Sequence, residues 1–184
     1  MLDPVLLLRR EEYIALLPET KIFKSTTVFC DLLHLKREDY ILITMLENLA
    51  EKLNASLKIV GGQGEEELIP GKYYMNLSPT DFLRAYRDSD YVVTNSYHGT
   101  IFSLVFEKRF ITLMQTAANG NSNRQLDLLK KFGLKHHFFE RIELDDIVTV
   151  LSLLDVEKIA PEIRTMREKS MAFLKEALQI GVEK

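Results

Sequence analysis

Residues 77–112, LSPTDFLRAYRDSDYVVTNSYHGTIFSLVFEKRFIT, constrain the fold more than any other part of the chain. Their residue types change character in a fixed order. Pro79-Thr80-Asp81 opens a short helix, with Ser78 or Thr80 available as the cap and Pro favoured in a first turn. Phe82, Leu83 and Tyr86 follow at helical spacing, and Arg84 and Arg87 fall on the wetter side. Asp88-Ser89-Asp90 ends the helix, and Tyr91-Val92-Val93 is a run short enough for a buried parallel strand. The polar run from Thr94 to Gly99 comes next, after which Ile101, Phe102, Leu104, Val105 and Phe106 resume an apolar helical pattern. A hydroxyl, an amide, a second hydroxyl, a phenol ring, an imidazole and a glycine are therefore expected in one strand-to-helix loop. In open α/β sheets ligands bind at the carboxyl ends of strands, and a helix N-terminus there favours anions.

The rest of the chain repeats the alternation. Residues 11–17 read as a short helix stopped by Pro18, and residues 25–33 as a first core strand. Residues 37–53 predict an amphipathic helix with Tyr40, Ile41, Thr44, Met45, Leu49 and Leu53 near one face. Leu57 to Val60 is a second strand ended by Gly61-Gly62, and Phe110 to Leu113 a fourth after Tyr91-Val93. Residues 117–123 read as a small polar loop, Arg124 to Phe132 as a helix closed by Gly133 in a left-handed C-cap, and Phe138-Phe139 as lying near a final short strand or extended edge. Residues 144–154 are helical, and Pro161 is expected to begin an amphipathic helix over 161–184 whose apolar positions include Ile163, Met166, Phe173 and Leu178. Strand and helix alternating in this way predict an α/β fold, a Rossmann-like parallel sheet flanked by helices. Residues 1–184 are expected to form one domain. The abrupt apolar opening with Asp3-Pro4 suggests the second part of a longer, two-domain protein.

Charge and composition exclude several functions. The net charge of −3 gives no general pull toward nucleic acid or an anionic membrane. No apolar segment approaches the roughly 20 residues of a membrane span, and the Val5–Leu8 run is too short and wrongly flanked for a signal peptide. The cytoplasm is the expected location, with peripheral membrane association left open. The single Cys30 has no partner for a disulfide or a structural zinc site and reads as a small core residue. Gly61-Gly62-Gln63-Gly64 lacks the G-x-x-x-x-G-K-[ST] pattern and runs into Glu65-Glu66-Glu67, so it reads as a loop and not a phosphate cradle.

Of the four histidines, His34, His136 and His137 read as core or surface residues, and no H-E-x-x-H pairing points to a metal. His98 differs, because its neighbours are polar and Gly99 would let a ligand approach the backbone. Ser96 as the nucleophile of a hydrolase lacks a G-x-S-x-G elbow. Arg124, at the head of a helix after a Gly/Asn/Ser-rich loop, could reach across a cleft to a carboxylate or phosphate; alone it reads as a surface arginine.

Asp90-Tyr91-Val92-Val93-Thr94-Asn95-Ser96-Tyr97-His98-Gly99-Thr100-Ile101-Phe102-Ser103, followed by Phe110-Ile111, resembles the C-terminal signature of the polysaccharide pyruvyltransferase family. Asp3-Pro4-Val5-Leu6-Leu7 resembles the family's D-P-x-x-L-L segment, and Arg124 with Leu128-Leu129 and Gly133-Leu134 its R-x-x-x-L-L-x-x-x-G-L stretch. The resemblance implies the C-terminal half of a GT-B-like pair of Rossmann-like domains, with the active site between them and an N-terminal domain as the partner wall. It also implies transfer of the enolpyruvyl group of phosphoenolpyruvate to a cell-surface saccharide as a ketal, with this chain as the donor-binding half and inactive when isolated. No cofactor is implied. By match to the motif, His98 would be catalytic, and Asn95, Ser96, Tyr97, Gly99, Thr100 and Arg124 would bind substrate. Some members carry Arg where this chain has Ser96, which leaves more of the donor's charge to Arg124, helix N–H groups or the N-terminal half. Two other readings of the same architecture are a GT-B glycosyltransferase using a nucleotide sugar and a non-catalytic saccharide-binding or assembly domain.

Overall fold

Thr27-Val28-Phe29-Cys30-Asp31-Leu32 is rich in residues that suit a pleated, buried surface, and it forms β1 (Thr27–Leu32) with all six residues buried. The computed structural model describes residues 2–35, 39–61, 77–114, 122–140, 144–153 and 155–182. β1 pairs in parallel with β2 (Ser56–Gly61) on one side and β3 (Tyr91–Thr94) on the other. β4 (Arg109–Leu113) and β5 (Phe138–Phe139) extend the sheet in the order β2-β1-β3-β4-β5, all parallel. The expected α/β, Rossmann-like sheet is what forms.

The connecting helices are α1 (Arg10–Ala15), α2 (Tyr40–Lys52), α3 (Pro79–Asp88), α4 (Tyr97–Val105), α5 (Asn123–Lys131), α6 (Leu144–Ser152) and α7 (Asp155–Val182). Strand alternation divides the core. Val28, Cys30 and Leu32 meet Leu46 and Leu49 of α2 and Ile147 and Leu151 of α6 on one face. Phe29, Val92 and Phe110 meet Tyr86 of α3, Ile101 and Leu104 of α4 and Leu129 of α5 on the other. Each such side chain, fully buried, contributes about 1.5–3 kcal/mol, so both helix layers are clamped to the sheet.

Three expectations are corrected by packing. Tyr40 and Ile41 are 65% and 61% exposed, and α2 instead buries Ile43, Leu46, Leu49 and Ala50. The helix is apolar on more than one side, so its period alone did not choose the face. Arg84 and Arg87 are not on a wet side: both donate to the Thr20 carbonyl, and Arg87 also to Pro18 O and the Asp88 carboxylate. They staple the segment before β1 to α3. Pro161 lies inside α7, which starts at Asp155, because burial of Ile159 beside Ile163 draws the preceding turn into the helix. The remainder of the loop after Gly61 and most of residues 117–123 lie outside the described residues. Among the described residues no helix is long and apolar enough to cross a membrane.

Candidate functional site

β1 connects leftward to β2 while β3 connects rightward to β4, so the crevice between the carboxyl ends of β1 and β3 is the topological switch point of the sheet. Asn95 bridges the two strand ends there. Its backbone N–H donates to Asp31 O (3.2 Å), its Oδ1 accepts from Leu33 N (2.7 Å) and its Nδ2 donates to Leu33 O (3.1 Å). His34, two residues past the end of β1, adopts a left-handed φ of 59° and is exposed.

The expected loop is shorter than the sequence implied. Tyr97, His98, Gly99 and Thr100 already form the first turn of α4, because the Ser96 hydroxyl accepts from Gly99 N at 3.2 Å and caps the helix. Ser96 N donates to Thr94 Oγ1 (3.0 Å), and Thr100 Oγ1 donates to Ser96 O (3.0 Å) beside Thr112 Oγ1 (3.0 Å). The hydroxyls of Ser96 and Thr100 are thus held in the fold, with both residues buried. The early N–H groups of α4, at Tyr97 and His98, have no intrahelical acceptor within reach by helix geometry.

His98 is exposed on this turn, its ring 5.5 Å from that of Tyr97 at 74°. Arg124, from the head of α5, lies with its guanidinium carbon 3.9 Å from the Tyr97 ring centroid, a cation–π stack. Gln125 beside it is 2% exposed and donates through Nε2 to Asn95 O at 3.1 Å, which docks α5 against the same segment. The structure therefore brings His98, Tyr97 and Arg124 together at the positive ends of α4 and α5, where an anion is favoured.

Gly99 serves a purpose other than the expected one. A Cβ there would meet Thr94 Oγ1 at 2.2 Å and both Asp31 Oδ2 and Tyr86 Oη at 2.7 Å. The missing side chain makes room for the chain's own buried polar groups, not for a ligand. Asp31 Oδ2 accepts from the Tyr86 hydroxyl at 2.7 Å, and the Thr94 hydroxyl donates to Asp31 O at 2.9 Å. Burial pushes the Asp31 carboxyl up to about 6, against the opposing pull of hydrogen bonds from Tyr86 and Thr94 and of the nearby His98.

Asp31, Tyr86 and Gln125 are the residues that sequence reasoning missed. Asp31 carried a readable signal, a lone carboxylate in an otherwise buried core strand. Tyr86 read only as an apolar position, and Gln125 had no signal beyond its place next to Arg124. Among the described residues no group of three His, Cys, Asp or Glu could hold a metal ion. His137 is a core residue, its Nδ1 2.7 Å from Phe110 O and its ring stacked on Phe110 at 4.7 Å, and Cys30 is buried.

The sequence model of the polysaccharide pyruvyl transferase family matches residues 1–115, which include Asp31, Tyr86 and the first turn of α4 and stop before Arg124. A comparison with curated proteins found no match. With 115 of 184 residues matched, the chain belongs to the polysaccharide pyruvyl transferase family.

Proposed function

We propose that this domain binds phosphoenolpyruvate at the carboxyl edge of its sheet and takes part in moving its enolpyruvyl group, with release of phosphate, to two hydroxyls of a cell-surface saccharide, forming a pyruvate ketal. The observation that supports this reading most is the exposed His98 on the first turn of α4, beside Arg124 stacked on Tyr97, in a chain of this family. Phosphoenolpyruvate carries a carboxylate and a phosphate. Helix N–H groups and a guanidinium fork are the chemistry that meets such anions.

In the proposed reaction His98 donates a proton to the methylene carbon of the donor, turning it into a methyl group. One acceptor hydroxyl adds to C2 and gives up its proton to the regenerated imidazole. The second hydroxyl then displaces phosphate at C2, and its proton leaves with the phosphate. General acid–base help of this kind is worth about 10²–10⁴-fold in rate. A second wall, from a facing domain, is needed to hold the saccharide and exclude water.

Isothermal titration of the full-length protein with phosphoenolpyruvate and with uridine-diphosphate sugars tests the donor. Micromolar to millimolar binding of phosphoenolpyruvate, lost or weakened in Arg124→Ala, is the expected result. Binding of the nucleotide sugars alone would sink the assignment in favour of a glycosyltransferase. Unchanged phosphate release in His98→Ala would remove the histidine from the chemistry.

A further inference from the structure

Asp31 is 5% exposed in a strand whose other members are Thr, Val, Phe, Cys and Leu. Among the described residues no lysine, arginine or histidine forms an ion pair with it; its side chain instead takes the Tyr86 hydroxyl at 2.7 Å. A buried carboxylate without a paired cation is costly, and an amide or an aliphatic residue would suit a purely structural role at this place better. Its position answers the question of why it is there. It stands near the end of β1 at the switch point, and a Cβ on Gly99 would lie 2.7 Å from its Oδ2.

The groups around it come from every neighbouring element. On β1 the Cys30 thiol is pushed up by burial and stays neutral, and on α3 the Tyr86 phenol is pushed well above its ordinary value and stays neutral. On β3 Thr94 supplies a hydroxyl. On α4 the one titratable group that acts on it is His98, through its charge.

We propose that Asp31 is a positioning residue for His98: through Tyr86, Thr94 and the bare Gly99 it seats the first turn of α4, and its buried negative charge is the fixed electrostatic partner of the exposed imidazole. This rests on the reading of His98 as the acid–base group. A carboxylate buried beneath this turn offsets positive charge on the imidazole, which stays exposed to substrate.

The first test needs no turnover. The carboxyl-carbon NMR signal of Asp31 is followed against pH in the wild-type protein and in His98→Gln. Removing the imidazole is expected to move the Asp31 midpoint upward; an unmoved midpoint overturns the proposal. The second test is kinetic, on Asp31→Asn, which keeps an acceptor for Tyr86 and removes the charge. Phosphate release from phosphoenolpyruvate is expected to lose tenfold or more in kcat with KM for phosphoenolpyruvate within about threefold, and its pH profile to be displaced, while Tm at pH 7.5 holds or rises. Wild-type kcat and pH profile, or a kcat loss that merely tracks a loss of Tm, overturns it. If wild-type protein releases no phosphate at all, the proposed donor fails, and the NMR titration alone decides the role of Asp31. It also decides if Asp31→Asn does not fold.

Discussion

The phenol of Tyr86 donates to Asp31 Oδ2 at 2.7 Å, with both side chains buried beneath the first turn of α4. The bond ties α3 to the end of β1 and holds the Asp31 carboxyl below where burial alone would put it. Tyr86→Phe removes the donor and keeps the ring, which packs at 5.2 Å against both Phe29 and Phe82. A hydrogen bond to a charged group is worth about 1.5–3 kcal/mol. The variant should lose that much at pH 8 and distinctly less at pH 4, where Asp31 carries its own proton. Urea unfolding at the two pH values checks this, and equal losses would count against an ionised Asp31.

The same carboxyl gives the wild-type protein a pH signature. Its folded-state value of about 6 lies above the 3.8 of an ordinary aspartate, so between these values the native state binds more protons than the unfolded chain. Stability contributed by this group is therefore highest below about pH 4, falls as pH rises to about 6 and is flat beyond, a change on the order of 3 kcal/mol. Asp31→Asn should abolish that slope and be the more stable protein at pH 7.5. Denaturant titrations of both proteins at pH 4, 5, 6 and 7.5 measure the difference.

Gly99→Ala tests the close approach of α4 to this cluster. Alanine is favoured over glycine in a helix by about 1 kcal/mol, so an unobstructed site would be stabilised. Here the new methyl would meet Thr94 Oγ1 at 2.2 Å and two further buried oxygens at 2.7 Å. Overpacking of this kind costs about 1–3 kcal/mol or more. A net loss in Tm is expected, and a gain would mean that the cluster yields easily.

Arg124→Lys keeps the charge and loses the planar fork that stacks on Tyr97 at 3.9 Å. An exposed cation–π contact is worth about 0.5–1 kcal/mol, and a bidentate anion contact adds to it. KM for phosphoenolpyruvate should rise roughly fivefold to tenfold, with Tm hardly changed because Arg124 is exposed. Thermal melts and initial rates on the same preparation separate the two effects.

The alternation from Pro79 to Leu113 was written in the chain, since each element there carries its own period and its own stop. Ser78 caps α3 through Asp81 N, Gly133 takes its left-handed φ of 70° after α5, and Phe138-Phe139 pairs with Thr112-Leu113 at the edge of β4. His98 stood out because a polar run separates the apolar patterns of β3 and α4; Thr94, Ser96 and Thr100 of that run are buried and serve the fold, while His98 is exposed. The face of α2 was not legible, because several of its sides are apolar and only contact with β1 and α6 selects one.

The parallel α/β architecture and the polar run between β3 and α4 were written locally in the chain, since hydrophobic period, caps and strand breakers act over a few residues. What packs around that run was settled by contacts between distant parts of the chain. Asp31 and Tyr86 are 55 positions apart and Gln125 lies 30 from Asn95, so no local pattern could join them. The parallel order β2-β1-β3-β4-β5 brings β1 beside β3, and the absent side chain of Gly99 lets α4 settle onto Asp31. A carboxylate in a core strand is thereby buried beneath the first turn of α4, hydrogen-bonded to Tyr86.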